Sequence, residues 1–180
     1  MLGASPLGRH TEQHDLFFAI GSSLKDTVPA IKAFWPEAKD KIHIDAWRQV
    51  TEVNGYSISV QPKGDAPLEQ ANKLFFLNLG GYKPGEFDEF HYKMIVVAPD
   101  MAAAIKIAKA SAWYKHTGFK GATSHIDDKY GVDVDDVYNV QDILPEALRR
   151  DYSLVITPTA NPDMADDIHL GYFQLHKLKD

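Results

Sequence analysis

An internal duplication constrains this chain more than any other feature of its sequence. Shifting the sequence by 77 positions superimposes five identical residues, which are Leu2, Gly3, Gly8, Glu12 and His14 on Leu79, Gly80, Gly85, Glu89 and His91. Self-similarity at a fixed offset is the signature of a fold built from repeated units. The sequence therefore predicts two tandem, pseudo-symmetric repeats.

In each copy, the Glu-x-His pair is followed by a predicted strand and a predicted helix. The strands are the apolar runs DLFFAIG and YKMIVVA, which are rich in aromatic or β-branched residues. The helices are indicated by apolar residues at i, i+4, i+7 and i+11. These are Leu24, Val28, Ile31 and Trp35 in the first copy, and Met101, Ile105, Ala108 and Ala112 in the second. Ser23 and Asp100 suit the N-cap positions, and Pro29 either bends the first helix or lies in its first turn.

Beyond the helices the two copies match at a larger offset of 82, which places HIDAW at His43 on HIDDK at His125. The same offset places Tyr56 on Tyr138 and Ile58 on Val140, which predicts a closing strand in each unit. Strand-rich units with one helix each favour an α+β fold, in which each repeat packs its helix on a mainly antiparallel sheet.

The predicted organisation is repeat 1 at 1–62, a linker at 63–72, repeat 2 at 73–150 and a tail at 151–180. The run KLFFLN opens repeat 2 but has no counterpart in repeat 1, whose opening strand is missing. The tail carries YSLVITP and GYFQLHKL, which predict a C-terminal β-hairpin that could fill the gap. An unfilled edge favours pairing with a second chain. We therefore expect either a homodimer through an open sheet edge or an intramolecular plug from the tail.

The candidate site consists of acidic and imidazole residues two positions apart, which share a face on an extended chain. The four pairs are Glu12 with His14, His43 with Asp45, Glu89 with His91, and His125 with Asp127. Opposed positions on neighbouring strands have Cβ atoms about 4.5 to 5.5 Å apart, so each repeat can gather four ligand groups. Such groups suit a divalent metal, namely zinc, or manganese or iron with water completing the shell. A metal-bound water would then support hydrolysis.

Two other interpretations of these residues stay open. The same groups can bind a small anionic metabolite without metal. Alternatively, they form a buried polar network that fixes the loops, as in a non-catalytic structural or interaction module. A further loop places Gly118, Lys120 and Gly121 where they could receive an anion, although an ordinary turn explains them too and the spacing of a phosphate-binding loop is absent.

Composition excludes several classes of function. The formal net charge of −6 disfavours binding to nucleic acid. The sequence has no apolar stretch of the roughly 18 residues that a membrane span needs. With no cysteine, neither disulfides nor thiolate metal sites can form. These properties lead us to expect a cytoplasmic protein without membrane or nucleic-acid partners.

Three stretches, GRHTEQHDLFFAIG, LGGYKPGEFDEFHYKMIVVA and HTGFKGATSHIDDKYGVD, resemble the bacterial domain-of-unknown-function family 1543. The resemblance spans both repeats, most of residues 2–144. It implies a duplicated α and β architecture in small bacterial proteins, with no established activity. Members of the family usually begin with a strand ahead of the first Leu-Gly, whereas this sequence starts at that point. Tyr92 also stands where the first copy has Asp15, which argues against a mechanism that needs this acid twice.

Overall fold

The structure is a computed structural model that describes residues 1–64, 68–82, 85–111, 132–161 and 164–179. These residues form an α+β fold. The strands are β1 (Leu2–Ala4), β2 (Gln13–Asp15), β3 (His43–Trp47), β4 (Glu52–Val53), β5 (Tyr56–Pro62), β6 (Lys73–Tyr82), β7 (Glu89–Ala98), β8 (Val132–Asn139), β9 (Tyr152–Pro158) and β10 (His169–Gln174). The helices are α1 (Val28–Phe34), α2 (Met101–Ala110), α3 (Val140–Ile143) and α4 (Glu146–Asp151), with 3-10 turns at Lys25–Thr27, Pro36–Lys41 and Leu175–Lys177.

The strands form three antiparallel sheets. Sheet A has the order β10-β3-β1-β2, sheet B has the order β4-β5-β9, and sheet C has the order β7-β6-β8. In sheet A, β1 pairs with β2, the next strand along the chain, and with β3, which comes after helix α1. In sheet C, β6 pairs in the same way with β7 and with β8, which comes after helix α2. The prediction of a mainly antiparallel α+β fold is therefore confirmed.

Sheet C is covered on both faces, which explains why β6 is buried along most of its length. Leu77 and Leu79 pack with Ala104 and Ala108 of α2 on one face. Phe76 faces the other way and packs with residues of sheet B, including Ile58. A strand buried on both faces reads as a continuous apolar run, and KLFFLNLGGY is such a run.

One face of sheet A is covered by α1. Leu2, Ala4 and Ile44 point to this face and form a core with Ile31 of α1 and Leu175. Because side chains alternate along a strand, Gly3, His43 and Asp45 lie on the opposite face. The helix therefore decides which face of the sheet carries the polar residues.

Both predicted helices form, and their first turns differ. Asp100 is the N-cap of α2, where its Oδ1 accepts a hydrogen bond from the Ala103 amide at 2.8 Å, as predicted. Pro29 lies in the first turn of α1, which was one of the two alternatives. The prediction that Ser23 is the N-cap of the first helix is wrong, because Thr27 holds that position without a side-chain cap. Ser23 and Asp26 instead each accept a hydrogen bond from the other's amide at the 3-10 turn ahead of α1.

The predicted buried stripe of α2 needs correction. Met101 is 48% exposed, while Ala104 and Ala108 are buried. Ala112, the last residue of that stripe, lies outside the described residues. None of the helices in the described part of the chain has the length and apolar character needed to cross a membrane.

The prediction of a C-terminal hairpin is wrong, because the two tail strands belong to different sheets. Strand β9 pairs with β5 over seven residues, and β10 pairs with β3. Strand β10 of the tail thus extends the sheet that contains β1. It lies beside β3, however, and does not take the place of an opening strand ahead of β1. Each segment contains a strand as predicted, although the end of GYFQLHKL forms the 3-10 turn Leu175–Lys177. A hairpin also requires that the two strands pair with each other.

Two other strand predictions fail. Strand β2 ends at Asp15, so most of the run DLFFAIG continues without regular pairing. The predicted equivalence of closing strands is also wrong, since Tyr138 lies in β8 opposite Phe76 while Val140 begins α3. Strand β5, which contains Tyr56, pairs instead in sheet B.

Two glutamine side chains occupy the edge of β9 that faces away from β5. Gln70 donates from Nε2 to the Leu154 carbonyl and accepts from the Ile156 amide, both at 2.8 Å. Gln141 makes the same pair of bonds two residues earlier along β9, to the Tyr152 carbonyl at 3.0 Å and the Leu154 amide at 2.8 Å. A carboxamide has both a donor group and an acceptor oxygen, so each glutamine satisfies this edge as a strand residue would.

Candidate metal centres

The first group of polar residues, which we call cluster 1, consists of Glu12, His14, His43 and Asp45. Its position follows from strand register, because Gly3 of β1 lies opposite His14 of β2 on one side and His43 of β3 on the other. Asp45 follows His43 by two residues and therefore shares its face. Short strands around a central glycine thus bring together groups that are distant in sequence.

All four predicted residues of cluster 1 converge. His43 Nε2 lies 3.1 Å from Glu12 Oε1 and 3.1 Å from Asp45 Oδ1. His14 Nε2 lies 3.3 Å from Asp45 Oδ2 and 3.7 Å from Glu12 Oε2. Each imidazole nitrogen thus faces both carboxylates. The predicted convergence within this half of the chain is confirmed by these distances.

The ring of His43 is held in one orientation by the main chain. Its side chain is 6% exposed, and Nδ1 lies 3.1 Å from the Lys41 carbonyl. A carbonyl oxygen only accepts, so Nδ1 carries the proton and donates it. The other nitrogen, Nε2, is then the atom that faces Glu12 and Asp45. This is the arrangement in which metal-bound histidines are usually fixed.

Asp45 carries a buried oxygen that lacks a hydrogen bond. Among the described residues, its Oδ2 has no hydrogen-bond partner, and the 3.3 Å approach of His14 Nε2 does not provide one. A buried carboxylate oxygen without a partner is unfavourable. The oxygen is aimed into the space shared with the two imidazoles, where a cation would satisfy it.

Gly3 makes room for this arrangement. A Cβ at position 3 would collide with Asp45 Oδ2 and would lie 2.5 Å from His43 Nε2. The glycine therefore allows a carboxylate and an imidazole to lie over the backbone of the central strand, which explains a glycine here without any unusual φ.

Aromatic residues line one side of cluster 1. The ring of Tyr172 in β10 lies 4.3 Å from the His43 ring, centroid to centroid. At the other end of the β3–β10 pairing, His169 stacks on Trp47 with centroids 4.0 Å apart. Sequence reasoning missed Tyr172, because only the pairing of β10 with β3 brings it to the site.

The second group, which we call cluster 2, consists of Glu89, His91 and Asp135. Gly80 of β6 lies opposite His91 of β7, and Tyr82 lies opposite Glu89. His91 Nε2 is 3.4 Å from Asp135 Oδ2 and 3.9 Å from Glu89 Oε2. One ligand atom from each of the three residues can be chosen so that all lie within 4.8 Å of one another. Each side chain is about a third exposed, at 38%, 35% and 32% respectively.

Asp135 is the residue that sequence reasoning missed. It sits where β8 changes register between Asn78 and Leu79 of β6. A Cβ at Gly80 would collide with its carboxylate, as one at Gly3 would collide with Asp45. The alternating acids of the run VDVDD were the available signal, but the match of HIDAW with HIDDK predicted His125 and Asp127 as the ligands instead. The predicted ligands His125 and Asp127 lie outside the described residues.

A tyrosine adjoins cluster 2. A hydrogen bond between the Tyr82 phenol and Glu89 is the main reason that the pKa of Tyr82 is raised above its ordinary value, with smaller contributions from desolvation and from the charges of Glu89 and Asp135. Because the phenol donates this bond, it leaves the second oxygen of Glu89 available to another partner.

Gly118, Lys120 and Gly121 lie outside the described residues. In the acidic stretch of the tail, Asp166 accepts hydrogen bonds from the Thr51 amide and hydroxyl and from the Glu52 amide. Asp166 therefore fixes the chain ahead of β4.

The segment that builds cluster 1 also carries the likeness to a known family. Residues 9–60 match a family model described as Domain of Unknown Function (DUF1543). This segment matches DUF1543. The match contains all four residues of cluster 1, and it is narrower than the resemblance over residues 2–144, so the second predicted repeat lies outside it. DUF1543 names no activity.

Comparison with other proteins adds the fold. No curated protein matches the chain at a significant level. Among solved structures, the chain is similar to the crystal structure of protein Il1583 from Idiomarina loihiensis. The TM-score is 0.62 at 22% sequence identity, and the alignment covers 97% of this chain and 92% of that chain. At this identity the likeness concerns the fold alone.

Proposed function

We propose that this chain binds divalent metal ions at cluster 1 and cluster 2. The observation that carries the proposal is the pair formed by His43 and Asp45. The His43 ring donates from Nδ1 to a carbonyl and turns Nε2 toward two carboxylates, and the buried Asp45 Oδ2 beside it lacks a hydrogen bond. A neutral imidazole would place a lone pair against anionic oxygens, whereas a metal ion between them would accept all of these electron pairs.

The spacing of the donor atoms supports this proposal pair by pair in both clusters, and in the described part of the chain the three residues of cluster 2 also have ligand atoms that all lie within 4.8 Å of one another, which those of cluster 1 do not. Two ligands that each lie about 2.0 to 2.1 Å from a tetrahedral zinc ion are separated by roughly 3.3 Å. The contacts between imidazole nitrogens and carboxylate oxygens range from 3.1 to 3.7 Å in cluster 1 and from 3.4 to 3.9 Å in cluster 2. Zinc, manganese and iron(II) suit these donors.

We further propose that the clusters are the equivalent sites of two tandem repeats. Gly8 and Gly85 support this assignment, because they are 77 positions apart and share a φ of 82° and 83° in the loop before each Glu-x-His pair. The registers that place Gly3 opposite His14 and Gly80 opposite His91 support it as well. Conservation of backbone conformation together with ligand type is expected of a duplicated binding unit.

The chemistry at such a centre depends on its free coordination positions. A bound divalent ion lowers the pKa of a coordinated water and attracts oxygen ligands, so hydrolysis of a small anionic metabolite is the reaction we assign, if the protein is an enzyme. Cluster 2 has three described ligands and is open to solvent. It is therefore the better place for a substrate.

Metal analysis tests the proposal directly. The full chain is purified without a histidine tag, stripped of metal, dialysed against Zn²⁺ or Mn²⁺ and analysed for bound metal. We expect the His43→Ala and His91→Ala variants each to lose one of two bound ions. His176→Ala is the matched control, because His176 is exposed and lies outside both clusters.

Wild-type protein that binds neither ion above the level of a double His43→Ala, His91→Ala variant would overturn this function. In that case the imidazoles are held by hydrogen bonds alone, as in an architectural polar network.

A second candidate function is that of an interaction module in which a second copy of the chain adds a strand to β10. In the described part of the chain, β10 forms one edge of sheet A. It carries Leu170 and Tyr172, which are 76% and 65% exposed, and Ile168 just before it is 64% exposed. Exposed apolar side chains along an edge strand favour strand addition.

A further inference from the structure

We propose that the two clusters select different ions, with cluster 1 preferring an imidazole-seeking ion such as Zn²⁺ and cluster 2 preferring an oxygen-seeking ion such as Mn²⁺. This inference rests on the proposed function, because it requires both clusters to bind metal. It goes further by giving each centre its own ligand chemistry.

The donor sets differ in their content of imidazole. Among the described residues, cluster 1 has two imidazoles and two carboxylates, whereas cluster 2 has one imidazole and two carboxylates. The position opposite the central glycine explains the difference, since it is His43 opposite Gly3 and Asp133 opposite Gly80. Imidazole ligands favour zinc, copper, iron and nickel, while carboxylates and water favour manganese, magnesium and calcium.

Enclosure differs at the two cluster 1 ligands that lie over Gly3. The side chains of His43 and Asp45 are 6% and 21% exposed and the Tyr172 ring packs against His43, whereas Glu12 and His14 of the same cluster are 43% and 42% exposed. The three ligands of cluster 2 are 32% to 38% exposed. Zinc accepts a closed shell of four protein ligands, whereas ions that prefer oxygen retain several waters and need an open site.

The face of sheet C that carries cluster 2 also offers an amide oxygen. Asn78 lies two residues before Gly80 on β6 and therefore on the same face of sheet C. Its Nδ2 donates to Asp136 at 3.2 Å, while its Oδ1 is buried and has no hydrogen-bond partner among the described residues. An amide oxygen is a ligand for Mn²⁺ but a poor one for Zn²⁺. The surroundings of cluster 2 thus favour the same class of ion as its ligands do.

The experiment measures dissociation constants for Zn²⁺ and Mn²⁺ at each cluster separately. The His91→Ala chain retains cluster 1, and the Glu12→Ala, His14→Ala chain, which removes the two exposed ligands of cluster 1, retains cluster 2. Bound Mn²⁺ is followed by the loss of the electron paramagnetic resonance signal of aqueous Mn²⁺, and Zn²⁺ is followed by its competition with Mn²⁺. We expect the ratio of the Mn²⁺ constant to the Zn²⁺ constant to be at least about tenfold larger at cluster 1.

A swap of ligand type isolates the cause. In the His91→Ala chain, His43→Asp gives cluster 1 the residue type found opposite Gly80, and the ratio should fall toward that of cluster 2. Because His43 is buried and its replacement can unfold the sheet, His14→Asp is made in parallel. His14 is 42% exposed, so this variant also reduces cluster 1 to one imidazole with little change in the core.

The outcomes separate the two proposals. Equal ratios at the two clusters, within about threefold, would overturn the selectivity while leaving metal binding intact. A ratio unchanged by both His43→Asp and His14→Asp would do the same. If neither single-cluster chain binds either ion, the proposed function itself fails. A shift toward Mn²⁺ in either folded swap variant supports the inference.

Discussion

At the scale of the residue, two glycines determine whether the clusters can form. Neither Gly3 nor Gly80 has a positive φ, so backbone freedom does not explain them. Each lies under a carboxylate that a methyl group would displace. Both glycines therefore leave room for a carboxylate over the strand. Replacing either of them should change the ligand geometry as well as the stability of the fold.

We predict that Gly80→Ala weakens Mn²⁺ binding at cluster 2 by at least about tenfold, because the new Cβ pushes the Asp135 carboxylate away from His91. Overpacking of this kind also destabilises a fold by about 1 to 3 kcal/mol. Titration calorimetry and thermal unfolding measure the two effects. Gly64→Ala is the control, since nothing lies within 4 Å of a Cβ built there, and equal losses in both variants would refute the explanation.

At the same scale, the sequence predicted cluster 1 completely and cluster 2 in part. Glu12, His14, His43 and Asp45 were found because each acidic and imidazole pair is local and a strand places its members on one face. Asp135 could not be found in this way, because a register shift in β8 brings it to the site. A bulge changes which residues face a site without leaving a clear periodic signal.

At the scale of the element, local patterns were more informative than pairings. The N-cap of α2 and the place of Pro29 in the first turn of α1 followed from short sequence signals, while the partner of each tail strand did not. The pattern of β9 and β10 is compatible with a hairpin, and only packing decides that β9 joins β5 and β10 joins β3. Strand pairing depends on nonlocal contacts, which a single sequence does not reveal.

Strand β10 carries the prediction for self-association. We expect the full chain to form a dimer at high concentration, because the exposed Leu170 and Tyr172 lie on an edge strand. Light scattering coupled to size exclusion measures the mass. Leu170→Lys should abolish the dimer. Met164→Lys, at an apolar residue 57% exposed outside the strand, should leave the dimer intact, and a monomeric wild type at all concentrations would contradict the prediction.

At the scale of the whole molecule, metal binding should be linked to folding. Cluster 1 joins β2 and β3, and cluster 2 joins β7 and β8, so an ion that binds only the folded chain stabilises both sheets. One site at 100 times its dissociation constant contributes about 2.7 kcal/mol. For a chain of this size, each kcal/mol raises the melting temperature by roughly 2 to 4 °C.

We predict that this thermal stabilisation decreases on acidification. Protons compete with a metal for imidazole nitrogen, and imidazole ordinarily titrates near about pH 6.5. The increase in melting temperature with added Zn²⁺ should therefore be large at about pH 7.5 and small at about pH 5.5. The His14→Ala, His43→Ala, His91→Ala variant is the control, and a wild-type increase that does not depend on pH would exclude histidine ligation.

The two glutamines that hydrogen-bond to β9 link distant parts of the chain. Gln70 precedes β6 and Gln141 lies in α3, yet both are fastened to the same stretch between Tyr152 and Ile156. An additional strand would need the backbone amide and carbonyl groups on this edge of sheet B, and these groups are already hydrogen-bonded to the glutamines. Unfolding of β9 would therefore break the hydrogen bonds that hold the segment before β6 and helix α3 after β8. We expect these segments and β9 to unfold together as one cooperative unit.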